Sequence, residues 1–218
     1  MVIKLYVEGG GNAASLKAEC RKGFNTFLGK AGLKDRMPRI VACGSRADAY
    51  DSFRTAIRNG EAAMLLVDSE APISAQSQPS DPSTRTDREH WLPWLHLRHR
   101  QGDGWEKPNG STDLQCHLMV QCMEAWLVAD PDTLQTYFGQ GFQRTALPNS
   151  ANRLESLDTA TLYRALGTAS KNCKTKRAYN KGTHSFALLA LIDPNKVINA
   201  SPWAKRFIEE IRKQMGKQ

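Results

Sequence analysis

The chain lacks what a disulfide scaffold, a zinc module or a membrane span requires. Its five cysteines, Cys20, Cys43, Cys116, Cys122 and Cys173, are odd in number, scattered, and never in a C-x-x-C spacing. That argues against both a disulfide framework and a structural zinc, and free thiols suit a reducing cytoplasm. No run reaches the roughly 18 consecutive apolar residues of a spanning helix. The opening MVIKLYVEGGG has no apolar core ending at a small-residue cleavage site. A soluble, unexported, cytoplasmic protein with no membrane partner is therefore expected. No G-x-x-x-x-G-K-[ST] follows Gly9, Gly10 and Gly11, and E-G-G-G is not a dinucleotide fingerprint, so ATP binding by this chain is not expected. Acid is in deficit as well. The 22 Asp and Glu face 30 Lys and Arg, a formal net charge of +8, which favours attraction to polyanions without naming one.

What is present reads as one domain over residues 1–218, long enough to bury a sizeable core. Val2 to Val7 alternates as a strand and runs into the glycine turn after Glu8. Leu16, Cys20, Phe24, Phe27, Leu28 and Ala31 recur at helical spacing over 13–31, with Gly32 as a C-terminal cap. A strand over Arg39 to Cys43, a helix over Ala47 to Arg58 and a buried apolar strand over Ala62 to Val67 complete a βαβαβ order. Residues 71–89 are rich in Ser, Pro and Asp and read as a loop; 90–100 read as a packed lid or short helix. His117 to Val120 reads as a fourth strand, Cys122 to Ala129 as a helix, and Asp130 as the cap of the next. Further helical patterns follow over 159–169, 185–192 and 202–215. The expected fold is α/β: a parallel sheet of about four strands flanked by helices, a core over about 1–130, and a C-terminal helical extension over about 131–218.

Ligands in such sheets bind beyond the carboxyl ends of the strands, and acidic residues collect there. Glu8 follows the first strand, while Asp68 and Glu70 follow the third; in extended geometry, residues two apart share a face. Charges about 5 Å apart at an effective dielectric near 20 repel by roughly 3 kcal/mol per pair, which a cation would relieve. Hard oxygen donors without clustered Cys or His select Mg²⁺, Mn²⁺ or Ca²⁺ over zinc, and the natural chemistry is phosphoryl transfer with Mg²⁺ or Mn²⁺. Glu124 adds a carboxylate from the helix after strand four. Taken singly, each acid also reads as a loop acid, a cap or a solvent-facing group.

The segments YVEGGG, LLVDSE and HLMVQCMEAWLVAD, with YNKGTHSFALLALIDPNKV and SPWAKRFIEEI, resemble an uncharacterised family of small bacterial proteins grouped with the Toprim-like superfamily. They are also similar to Toprim nucleases found beside ABC-type ATPases in overcoming-lysogenization-defect and phage-abortive systems. The resemblance implies a metal-dependent nuclease acting on DNA or RNA, an ATPase partner and a role in phage defence. It implies proton transfer by Glu8 and metal ligation by Asp68 and Glu70, the latter standing where the D-x-D pair has its second Asp. Lys181, in YNKGTH, is the candidate cation near the metal.

Lys171, Lys174, Lys176, Arg177 and Lys181, with Tyr179 and His184 nearby, would suit a groove that tracks phosphates. A solvated loop is the competing reading. The alternative for the whole chain is a non-catalytic nucleic-acid- or partner-binding subunit whose acidic edge is structural. Trp94, His96 and His99 could line a nucleic-acid surface, although a Trp and Leu stripe at helical spacing suits core, and His117 suits a satisfied core histidine.

Overall fold

A computed structural model describes residues 2–11, 13–82, 90–148 and 154–216. Its first strand, β1 (Lys4–Gly10), runs three residues past the expected end, so Glu8 lies within the strand. Gly9 and Gly10 both pair with Gly44 of the neighbouring strand across a register shift, which prolongs the pairing. Gly10 has φ of 85°, and a Cβ there would sit 2.8 Å from the Lys17 backbone, so only glycine fits. Helix α1 (Ala14–Leu28) buries Cys20, Phe24, Phe27 and Leu28 at the spacing that predicts it, then widens into a π-helical turn, Gly29–Leu33.

Strand β2 (Arg39–Gly44) leads into α2 (Arg46–Arg58). The helix starts at a capping box in which Ser45 and Asp48 satisfy each other's backbone N–H groups. Strand β3 (Ala63–Asp68) is buried along its whole length, as a central parallel strand should be. Next come α3 (Pro93–His99), β4 (Cys116–Met119) and α4 (Glu124–Val128). Then follow α5 (Pro131–Phe138), α6 (Thr159–Ser170), α7 (Lys181–Leu191), α8 (Pro194–Ala200) and α9 (Pro202–Gly216). Helix α8 is not anticipated from periodicity; Asp193 caps it and Pro194 opens it.

The four strands form one all-parallel sheet in the order β2-β1-β3-β4. Alternation along β1 and β3 sends Leu5, Val7, Met64 and Leu66 to one core, and Tyr6, Leu65 and Val67 to the other. The first core is closed by α1 and the C-terminal helices, with α7 packed along α1 and α9 against β4. Trp126 of α4 stacks on Phe27 of α1 at 5.4 Å, tying the C-terminal half to the sheet. Each such side chain contributes on the order of 1.5–3 kcal/mol when fully buried. The second core holds α2 and α3, where Trp91, Trp94 and Leu97 are buried. The 90–100 stretch thus contains a short packed helix, one of the two forms expected for it. Of the expected 71–89 loop, a short 3-10 turn forms at Ala75–Ser77, and residues 83–89 lie outside the described residues. No helix among the described residues is long and apolar enough to cross a membrane.

Candidate metal centre

Parallel pairing brings the carboxyl ends of β1, β2 and β3 to one edge, and there the acids of distant segments meet. Glu8, Asp68 and Glu70 each offer a carboxylate oxygen, and these oxygens lie within 4.8 Å of one another. Glu8 Oε2 accepts the Asp68 N–H at 2.8 Å, which fixes the β1 acid against the end of β3. Asp68 is 2% exposed, and its Oδ1 accepts the Met123 N–H at 2.8 Å.

Glu70 arrives by a different route from the expected one. The strand ends at Asp68, and Glu70 takes a left-handed φ of 58°, so the two acids do not share a face by extended alternation. Gln121, opposite, also has a left-handed φ, of 63°. Such non-glycine conformations cost about 1–3 kcal/mol each and persist where the surroundings impose them. Here Ser69 does so. Its N–H donates to the Met119 carbonyl, its Oγ accepts the Gln121 N–H at 2.7 Å and donates to the Ala71 carbonyl, and the Glu70 N–H donates to the Gln121 carbonyl. Ser69 and Gln121 are thus positioning residues that sequence reading passed over.

Two cations flank the acids. Arg46, the first residue of α2, lies with Nε 3.3 Å from Glu8 Oε2 and donates from Nε to the Asp68 carbonyl at 3.0 Å. Its two terminal nitrogens fork onto Asp103, and its guanidinium stacks over Trp105 at 4.8 Å. Sequence reading missed Arg46, although G-S-R at the end of β2 puts it on the same edge. Lys181 opens α7, where a cation opposes the helix dipole. Its Nζ stands 3.8 Å from Asp68 Oδ2.

Burial dominates the protonation of the acids. It pushes Glu8 up to about 7 against the lowering pull of the Asp68 N–H and the Arg46 and Lys181 charges. Asp68 is held well above the usual carboxylate range by burial and then by the Glu8 charge. Burial pulls the Lys181 ammonium down, but the Glu124 and Asp68 carboxylates outweigh it and raise its pKa.

Glu124 stands outside the group of three. It is fully buried at the start of α4, where its Oε1 accepts from the Tyr179 hydroxyl at 2.7 Å and from Ser185 Oγ at 3.3 Å. Its Oε2 has no hydrogen-bond partner among the described residues. Its charge still reaches Asp68 and Lys181. Tyr179 is therefore a partner of Glu124 rather than an exposed stacking ring. His184 is 4% exposed, and its Nδ1 accepts the Asn180 N–H, so it lies inside the fold and not on a phosphate-tracking surface. Lys171, Lys174, Lys176 and Arg177 are exposed, and Lys176 lies over the Tyr137 ring at 4.7 Å. His117 is wholly buried, bonded to the Leu114 carbonyl and the Arg206 guanidinium, as a core histidine should be.

The donor set fits a hard divalent cation. It consists of carboxylate oxygens only, gathered under partial burial with their protonation pushed up. Neither the curated proteins nor the solved structures give a significant match to the chain. A family model does match, over residues 7–212, and so spans every residue of this site. The chain belongs to the family described as Domain of unknown function (DUF4276).

Proposed function

We propose that this chain is a Toprim-like nuclease that hydrolyses phosphodiester bonds of DNA or RNA with Mg²⁺ or Mn²⁺. The observation that carries the reading is the convergence of Glu8, Asp68 and Glu70 within 4.8 Å at the carboxyl edge of a parallel sheet. Asp68 and Glu70 would hold the ion, with the orphaned Glu124 oxygen, whose charge reaches Asp68, as a further carboxylate donor. A bound divalent ion supplies Lewis-acid polarisation of the phosphate and lowers the pKa of a coordinated water. Glu8, with a pKa raised to about 7, is matched to taking or giving a proton near neutral pH. The Lys181 ammonium, held protonated by its carboxylate neighbours, sets a positive charge beside the acids, where negative charge on the phosphate grows during attack. The net charge of +8 favours long-range attraction of a polyanion to the chain. An ATPase partner and a role in phage defence are part of the proposal, on the resemblance to Toprim nucleases beside ABC-type ATPases.

The test is cleavage of plasmid, single-stranded DNA and tRNA with Mn²⁺ or Mg²⁺, with and without EDTA. Metal-dependent cutting that Glu8→Gln and Asp68→Asn abolish is expected. Cutting that survives both substitutions would sink the reading. Lys181→Ala should lower the rate at saturating substrate by about 10–100-fold, and an unchanged rate would remove Lys181 from catalysis.

One observation favours a second reading, in which the edge is a binding surface without chemistry. Arg46 already sets a positive charge against Glu8. The two readings part on Mn²⁺ binding, which calorimetry measures directly: the structural reading expects none.

A further inference from the structure

A cavity of about 390 Å³ opens beside the carboxylates and shares Glu70 with them as a wall. Ala71 and Pro72 form an apolar side, and His96, His99 and Arg100 of the α3 end face it. His96 and His99 are one helical turn apart and so project from one face of α3. The His96 ring is fixed by a 3.0 Å hydrogen bond between Nε2 and the Ser69 carbonyl, within the Asp68-Ser69-Glu70 turn itself. Arg100 is anchored at 2.8 Å to Asp103, the same carboxylate that clamps Arg46. The cavity is thus braced twice to the acidic site, through Ser69 and through Asp103. Its size lies in the small-ligand range of ~300–1,000 Å³.

Resting on the nuclease reading, we propose that this cavity receives one unstacked nucleobase next to the scissile phosphate, so that the substrate is a single-stranded segment. A cavity with Ala71 and Pro72 on one side and imidazole rings on the other suits a π-face, which every base has. A guanidinium at the rim suits the adjoining phosphate. Glu70 joins slot and metal site, so a base in the slot sits one unit from a phosphate held at the carboxylates. A paired base stays stacked within its duplex and does not enter such a slot without being flipped out, at a cost of a few kcal/mol.

The experiment is fluorescence anisotropy with a labelled octanucleotide, as DNA and as RNA, each single-stranded and as a blunt duplex, in EDTA. The single strand should bind at least about tenfold more tightly than the duplex, and His99→Ala should remove about tenfold of that affinity. His99→Phe, which keeps a ring, should restore it. Equal binding of single strand and duplex, no binding of either, or full affinity in His99→Ala would overturn the proposal. His99 is exposed, so loss of the fold is not expected, and circular dichroism checks it. Because binding is read without metal, the slot can fail while Mn²⁺-dependent cleavage stands, and cleavage can fail while the slot stands.

Discussion

Two acidic clusters in this molecule have opposite characters. Asp130 caps α5, and all its lone pairs are engaged: Oδ1 accepts from the Thr133 N–H and Lys196 Nζ, Oδ2 from Thr133 Oγ1 and the Asp193 N–H. Asp132 shares Lys196 and pairs with Arg144. Burial opposes ionisation there, yet these donors, Lys196 foremost, pull Asp130 down to about 2. At the sheet edge, by contrast, burial wins, and Glu8 rises to about 7. Each cluster has a buried acid, Asp130 in one and Asp68 in the other, beside a more exposed one, but only the first has donors enough. An acid that ties helices together is surrounded by its own counter-groups, whereas an acid buried with fewer of them holds its proton to higher pH.

Paired substitutions break or sharpen this contrast, and the largest effects come first. Asp68→Asn should lower metal-dependent cleavage by more than about 100-fold, beyond the 10–100-fold typical of outer-shell partners. Its metal-free stability in urea should be equal or higher, because a neutral amide removes repulsion among the three acids. Asp130→Ala should do the reverse, losing about 2–3 kcal/mol of stability with cleavage per folded molecule intact. If Asp68→Asn instead unfolds the chain, the edge acids are structural like Asp130.

Metal addition gives the next effect. At 100 times its dissociation constant, Mn²⁺ should stabilise the wild type by about 2.7 kcal/mol, an increment that EDTA reverses and Asp68→Asn lacks. A thermal melt without a shift would leave the carboxylate edge without a ligand.

The clusters should also respond oppositely to pH. Asp130 is depressed in the fold, so its contribution of about 2 kcal/mol is present above pH ~4 and fades as pH falls toward 2. Glu8 is raised, so the metal-free protein should lose stability as pH climbs from about 4.5 to 7, while Mn²⁺ affinity rises over that window. Urea titrations at stepped pH, with Asp130→Ala and Glu8→Gln as controls, separate the two slopes. The smallest effect belongs to Arg46. Arg46→Gln should move the pH midpoint of Mn²⁺ binding upward by less than about one unit, since its charge helps hold Glu8 down.

Much of the fold was legible because its signals are local. The buried run of β3, the helical spacing of Phe24, Phe27 and Leu28, and Asp130 at a helix start read directly as elements, whereas the Ser45 cap of α2 did not. The site was legible in part: Glu8 and Asp68 stand at strand ends, so parallel topology alone brings them to one edge. Glu70 was identified for the wrong geometric reason, since a left-handed turn held by Ser69 and Gln121 aims it. Arg46 escaped because nothing within its own helix marks it. His184 was read as a surface group because its motif does not reveal which side of α7 is buried, whereas packing against Phe138 and Tyr179 does.

By itself the sequence determined the order of the strands and of every helix but α8, the parallel sheet and the residue types at its carboxyl edge. Those follow from periodicity, caps and crossover length, all of which act over a few neighbouring residues or a single connection. Only the tertiary structure decided which oxygens meet, which cations reach them, and that Glu124 bonds to Tyr179 outside the group of three. Those outcomes depend on contacts between residues 38 to 113 positions apart, where burial and partner geometry, not local preference, set the charge of each acid.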